Sequence, residues 1–234
     1  MHVLAVIPAR GGSKRIPRKN LVDFDGKPLV AHSIAHAQAA TTVTRTLVST
    51  DDAEIRAVAL AHGAEAPFVR PPELAEDHVL DWPVFMHALK FLQDSEGYRP
   101  DLVVHLRPTA PLRRPEWIDE AVRSLLADPR ADSIRSVSPP AAHPYRVFRV
   151  GSDGYLVPVM IHEHPEPYLL RRQDWPPMHF YNAVLDVTRP ATIFDKQSMT
   201  GDHILPFYMN ADDVSDIDSP HDLEIARIRA ELFR

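Results

Sequence analysis

The sequence predicts an α/β fold, with a mostly parallel central sheet covered by helices on both faces. Three observations carry the prediction. The N-terminal run Val3-Leu4-Ala5-Val6-Ile7 is apolar at every position, as in a strand buried on both faces. Short aliphatic runs then alternate with segments of helical period, and a basic Gly-Gly loop directly follows the first run.

The elements follow in order. After the loop from Arg10 to Asn20, Leu29, Ile34 and Ala37 give one apolar face to a helix over about Pro28 to Ala40. Thr46 to Ser49 reads as a second strand. A helix from about Ala53 to His62 stops at Gly63, the usual residue past a helix end. Further on come a helix from about Trp82 to Gln93, a strand from Asp101 to Leu106, a helix from about Glu116 to Leu126 and a strand near Ser133 to Val137. Between Pro139 and Pro177 prolines and histidines accumulate, with short strand-like runs at Tyr145 to Val150 and Tyr155 to Met160 joined by Gly151 to Gly154. This reads as a hairpin-rich insertion, either an acceptor or dimerisation region or an inert excursion. A last helix spans about Pro220 to Phe233. The whole chain, 1–234, is expected to be a single domain, with ligands bound beyond the carboxyl ends of the strands.

Composition narrows the function classes. The 44% hydrophobic content supports a packed core, and a net charge of -6 argues against a general nucleic-acid binder, which needs a broad positive surface. Without cysteine there is no thiolate metal site and no Cys nucleophile. The short apolar N-terminus runs straight into Arg10, Lys14 and Arg15, unlike a signal peptide, and no apolar run is long enough to span a bilayer. The expectation is a cytoplasmic protein with no membrane partner.

Two clusters carry chemistry. In Pro8-Ala9-Arg10-Gly11-Gly12-Ser13-Lys14-Arg15-Ile16-Pro17-Arg18-Lys19-Asn20 the glycines would let backbone N–H groups approach an anion, and the basic side chains would neutralise a polyphosphate. The loop matches neither the P-loop nor the G-x-G-x-x-G spacing. Near the other end, Asp216 and Asp218 lie two apart, so an extended segment would point both carboxylates to one side. They suit one hard cation such as Mg²⁺, or else form a turn and N-cap cluster before the last helix. His162 and His164 have no clear third ligand, and a zinc site is not expected.

Together with Gly26-Lys27-Pro28-Leu29, Ser49-Thr50-Asp51-Asp52, Phe68-Val69-Arg70-Pro71, Pro108-Thr109-Ala110-Pro111-Leu112-Arg113 and Asp216-Ile217-Asp218, the loop resembles the acylneuraminate cytidylyltransferase family. The resemblance covers nearly the whole chain. It implies a Rossmann-like nucleotidyltransferase fold, a homodimer, and attack by the anomeric hydroxyl of a 2-keto sugar acid on the α-phosphate of CTP with release of pyrophosphate. Members act on sialic, pseudaminic and legionaminic acids. The nucleotide contacts it implies are Ala9, Arg10, Gly11, Gly12, Ser13, Lys14, Lys19, Asn20 and Arg70, with Arg10, Lys14 and Lys19 as the catalytic cations and Asp216 and Asp218 as Mg²⁺ ligands. No covalent nucleophile is needed.

Three departures bear on specificity. Where the family commonly has Gln before Pro-Thr, this chain has Arg107, which could bind an acceptor carboxylate or phosphate or pair with a protein carboxylate. Hydroxyl residues usual near the base are replaced by His78-Val79-Leu80-Asp81-Trp82, and Asp81 could accept from cytosine or guanine. Asn182-Ala183 stands where Asn-Gly is usual. Arg107, Thr109, Arg171, Asn182 and Lys196 are the candidate acceptor contacts. The rivals to a CMP-sugar synthetase are a guanylyl- or cytidylyltransferase for a sugar 1-phosphate and a non-catalytic nucleotide sensor.

Overall fold

The aliphatic N-terminal run becomes β1 (Val3–Pro8), an inner strand in which Val3 to Ile7 are wholly buried. A computed structural model describes residues 1–160 and 164–232. The remaining strands are β2 (Asp23–Phe24), β3 (Lys27–Pro28), β4 (Arg45–Ser49), β5 (Leu102–His105), β6 (Ser133–Ser138), β7 (Phe148–Val150), β8 (Leu156–Pro158), β9 (Phe180–Thr188) and β10 (Ile204–Tyr208). The helices are α1 (Leu29–Ala39), α2 (Ala53–Ala61), α3 (Asp81–Glu96), α4 (Pro115–Ala127), α5 (Pro190–Phe194) and α6 (Pro220–Leu232). Gly63, predicted to end the second helix, has φ of +79°, a conformation with no Cβ penalty only for glycine.

Six strands form one sheet in the order β10-β6-β9-β5-β1-β4. β1 runs parallel to β4 and β5, and β10 parallel to β6. β9 alone is antiparallel to its neighbours β5 and β6. Connectivity explains the exception. β6 ends at the carboxyl end of the sheet, residues 139–160 and 164–179 belong to an excursion between it and β9, and β9 enters between β5 and β6 from that same end.

The odd residues of β1 face α1, α2 and α4, contributing Val3, Ala5 and Ile7 to a core with Ile34, Ile55 and Val122. The even residues Leu4 and Val6 pack with Phe85, Leu89 and Leu92 of α3 and Ile193 of α5. Each such side chain stabilises the fold by about 1.5–3 kcal/mol on burial. A third cluster joins Ile16 of the basic loop to Phe24, Ile217 and Leu223 of α6, so it ties both functional segments to one small core.

The expected hairpin is shorter than predicted. Tyr145 is buried in a 3-10 turn instead of opening a strand, and β8 stops at Pro158. β10 and α5 were not anticipated. Among the described residues, no helix is long and apolar enough to cross a membrane.

Candidate active site

A cleft of about 490 Å³ opens beyond the carboxyl ends of β1, β4 and β5, lined by Arg10, Ser13, Lys14, Lys19, Asn20, Arg70, Asp81, Arg107, Thr109 and Asp218 among others. The basic loop is fixed from beneath. Ala9 N–H donates to the Ser49 carbonyl (2.9 Å), Asn20 Nδ2 to the Arg10 carbonyl (2.8 Å), and Gly11 N–H to Asp51 Oδ1 (3.0 Å). The expectation that Gly11 offers its N–H to an anion is therefore corrected: that donor serves Asp51. The role of Gly11 is steric, since a Cβ there would lie 2.8 Å from Asp52 Oδ2, whereas one on Gly12 would meet nothing within 4 Å. Asn20 likewise braces the loop, with its amide turned to backbone.

Carboxylates of the protein already face the loop's cations. Asp77 pairs with Arg10 (2.7 Å) and Lys14, Asp52 with Arg18 (3.1 Å), and Asp218 with Lys19 (2.9 Å). Lys19 also donates to the Ile217 carbonyl (2.8 Å), while Ile217 N–H donates to the Thr109 carbonyl (2.8 Å). These bonds bring the two motifs predicted to cooperate, from opposite ends of the chain, into one cleft. The side chain of Ile217 is fully buried, and Asp216 and Asp218 flank it on the exposed side.

Loss of hydration pushes the Asp216 carboxyl up and Asp218 adds to the rise, although a bond from Thr109 opposes it. Two neighbouring carboxylates with no soft ligand suit Mg²⁺, which takes one or two carboxylates and completes its shell with water and substrate phosphates. Among the described residues no group of three or more His, Asp or Glu forms a closed metal cage. The donor set therefore fits an ion shared with phosphate. His162 lies outside the described residues.

Arg70 is buried, its guanidinium donating to the Ser49 hydroxyl (3.1 Å) and carbonyl, and burial pushes its pKa down to about 10. It remains a cation at neutral pH. Arg107 is committed to protein carboxylates, donating to Asp81 (2.7 Å) and Asp186 (2.8 Å). This resolves the alternatives for its ligand-free state in favour of the protein pairing, and it occupies the Asp81 carboxylate expected to read the base. Although burial opposes charge on Arg107, the two carboxylates keep it protonated.

Asp186 anchors a row that runs across three strands. In register, His105 of β5, Asp186 of β9 and Arg135 of β6 lie side by side. Asp186 accepts from Arg107, from Arg135 Nε (3.0 Å) and from the Tyr181 hydroxyl (2.7 Å). Burial resists its ionisation, but Arg107 overrides this and brings its pKa down to about 2. None of Asp186, Arg135 and His105 was singled out from sequence. The available signal was a lone charge in the apolar run Val184-Leu185-Asp186-Val187. Beneath them Arg113 is buried, donating to the carbonyls of Val184 (2.7 Å) and Arg107 (2.9 Å), and burial pushes its pKa down to about 9.

Three expected acceptor contacts lie elsewhere. Lys196 pairs with Asp132 (2.8 Å) and Asp202 (2.7 Å) beside the amino end of β6, at the opposite end of the sheet. Arg171 is exposed in the excursion and holds Asp174 (2.7 Å). Asn182 is buried, with its amide oxygen accepting from Val184 N–H (3.3 Å). It shapes the bulge in which Ala183 has φ of +59°.

Comparison with known proteins adds three findings. A family model described as cytidylyltransferase matches residues 4–149. The chain is 34% identical to CMP-N,N'-diacetyllegionaminic acid synthase of Legionella pneumophila over 99% of this chain and 97% of that one. It is 44% identical to pseudaminic acid cytidylyltransferase of Campylobacter jejuni over 54% of each chain, so that match spans about half of the relative. The structure of CMP:2-keto-3-deoxy-manno-octonic acid synthetase complexed with CTP superposes with a TM-score of 0.73 over all of both chains, at 20% identity.

Proposed function

The chain belongs to the cytidylyltransferase family and is a nucleotidyltransferase, and on that basis we propose that it transfers CMP from CTP to a nonulosonic 2-keto sugar acid in a Mg²⁺-dependent reaction that releases pyrophosphate. The observation that carries this reading is the meeting of Lys19 and Asp218 in one cleft. It joins a basic loop able to neutralise a triphosphate to a carboxylate pair that would hold a divalent ion supplying further charge neutralisation. The acceptor class is supported by the legionaminic and pseudaminic acid activities in the names of the relatives.

In this reading Arg10, Ser13, Lys14 and Lys19 align the triphosphate, and Arg70 adds positive charge near the nucleoside. Asp216 and Asp218 would hold Mg²⁺, which supplies charge neutralisation at the phosphates. The anomeric hydroxyl of the acceptor forms a bond to the α-phosphorus as the bond to the bridging oxygen of the leaving pyrophosphate breaks. Alignment and electrostatic stabilisation account for the rate, and no covalent enzyme intermediate is required. Thr109, which lines the cleft, is assigned to the acceptor in this reading, and Arg107 acts there as part of the Asp81–Asp186 network. With Arg107 so engaged, the feature that favoured a phosphorylated acceptor loses its force.

A cytoplasmic homodimer completes the proposal. The excursion and the sheet edge present Val150, Leu156, Leu169 and Tyr208 with two thirds of their surface exposed, apolar area suited to a partner copy. Sedimentation as a monomer at working concentration would contradict that part.

The test of the activity is pyrophosphate release with Mg²⁺, crossing CTP, GTP, UTP and ATP against 2-keto sugar acids and sugar 1-phosphates. Turnover confined to CTP with a keto acid is the expected result. Turnover with GTP or with a sugar phosphate would overturn it, as would no turnover with any pair.

A further inference from the structure

Resting on the reading of the cleft as a triphosphate site, we infer that Asp77 is an internal counter-anion, a carboxylate of the protein that occupies the phosphate cradle until a nucleotide displaces it. Asp77 lies between two cations of the basic loop, 2.7 Å from Arg10 Nη2 and in contact with Lys14 Nζ. It comes from a different part of the chain, a tight turn closed by a Val79 N–H to Glu76 carbonyl bond (3.3 Å). Arg10 donates a second bond to this segment, at the Ala75 carbonyl (3.2 Å).

Two other carboxylates that face the loop have further duties. Asp52 caps α2, accepting from Glu54 and Ile55 N–H, and is only 19% exposed. Asp218 belongs to the proposed ion site. Among the described residues the Asp77 carboxylate meets only Arg10 and Lys14, and it supports no helix end or strand. The turn that carries it is thinly packed: the His78 side chain is 80% exposed and Leu80 is 76% exposed. Glu76 and Asp77 both line the cleft wall, so the turn forms its rim.

A triphosphate carries several charges on a chain of oxygen atoms and can engage Arg10 and Lys14 together with Ser13 and Lys19, whereas Asp77 offers one carboxylate. The nucleotide therefore displaces it. The same carboxylate, tethered nearby, re-enters as pyrophosphate loosens, which weakens product binding and speeds release. The contact also compensates Arg10 and Lys14, which among the described residues pair with no other carboxylate.

The test is calorimetric titration of the full chain with inorganic triphosphate at fixed ionic strength, comparing the wild type with Asp77→Asn and Glu76→Gln. Asp77→Asn should bind triphosphate about fivefold more tightly, the scale of one partly exposed ion pair. Glu76→Gln removes an equal charge from the same cleft wall, but Glu76 faces His78 (3.4 Å) and among the described residues pairs with neither Arg10 nor Lys14, so it should change affinity by no more than about twofold. Unchanged or weaker binding by Asp77→Asn would overturn the inference, because it would make Asp77 a bystander or a ligand contact. Equal tightening in both variants would also overturn it by reducing the effect to net charge, as would no triphosphate binding in any of the three. If Asp77→Asn tightens binding while CTP gives no turnover with any acceptor, the counter-anion stands and the cytidylyl reading falls.

Discussion

Replacing Gly11 by alanine isolates what the first glycine of the basic loop is for. The backbone of Gly11 does not need glycine, because its φ is not among the positive values found at Gly26, Gly63, Gly97, Gly154 and Gly201. The obstacle is proximity: the new Cβ would lie 2.8 Å from Asp52 Oδ2 and 3.0 Å from Asp52 Cβ. Asp52 cannot yield freely, since its Oδ1 accepts from Glu54 N–H (2.9 Å) and Ile55 N–H (3.0 Å) at the start of α2 and both oxygens accept from Arg18. If Asp52 rotates away, the helix loses a cap that contributes about 0.5–2 kcal/mol. If Gly11 retreats instead, its bond to Asp51 stretches, at a cost of about 0.5–1.5 kcal/mol. Either route destabilises by about 0.5–2 kcal/mol, which for a chain of this size lowers Tm by roughly 2–4 °C per kcal/mol. It also moves the loop that carries Arg10 and Lys14, so KM for CTP should rise. Gly12→Ala is the matched control for stability, because a Cβ there meets no protein atom within 4 Å. Thermal unfolding and pyrophosphate-release kinetics on both variants decide the matter. Equal Tm values for the two variants, with KM unchanged in Gly11→Ala, would refute the close-packing argument.

Three further outcomes are expected. Asp186→Ala leaves Arg107 and Arg135 without their shared buried carboxylate and should destabilise by about 3–5 kcal/mol in urea unfolding, a loss typical of a broken buried pair; a change below about 1 kcal/mol would contradict the network. Burial pushes the imidazoles of His36 and His105 down to about 3, with Arg113 and Arg107 respectively adding to the effect. Their folded values lie below the unfolded value near ~6.5, so the unfolded chain binds more protons and stability, complete above that pH, is lost as pH falls from about 6.5 toward 3. Urea midpoints should therefore be lower at pH 5.5 than at pH 7.5, by roughly 2–3 kcal/mol in stability for the pair, and equal midpoints would contradict buried neutral histidines. Asp218→Asn should cut turnover at least about 100-fold while leaving the unfolding midpoint close to wild type, because the side chain is 55% exposed and packs against no core; near-normal turnover at saturating Mg²⁺ would remove it from the ion site.

The inner strands of the central sheet were legible because they are almost wholly apolar. β1 is apolar throughout and β5 is apolar up to His105, and the helices between strands show their buried faces at helical spacing. β9 was only partly legible: its polar start, Tyr181-Asn182, belongs to a bulge and the excursion, and its one charge, Asp186, is neutralised by residues 51 and 79 positions away. No local pattern announces such a row, since it exists only once three strands are in register. The basic loop and the Asp216–Asp218 pair could be read locally because each is dense in one charge. Their mutual contact, across 199 positions, could only be expected from resemblance. Lys196 and Arg171 misled for the converse reason. A cation close in sequence to a site segment says nothing of which end of the sheet it occupies, and both find local carboxylates.

The antiparallel insertion of β9 has a consequence for how the chain reaches this state. β1, β4 and β5 can pair as soon as residue 105 is available, and α1 to α3 can cover them, so a half-sheet can form early from contacts within the first part of the chain. β6 has no partner in that half. It must wait, with both edges open, until residues 180–188 have been made and can slot between it and β5. During synthesis the open edge of β5 and the unpaired β6 are exposed backbone of the sort that pairs with other chains. The step that closes this gap joins segments some 40 to 85 residues apart, and such long-range strand pairing is intrinsically slow. Substitutions in β9 should thus affect the yield of soluble protein during expression more than their effect on the finished molecule would suggest.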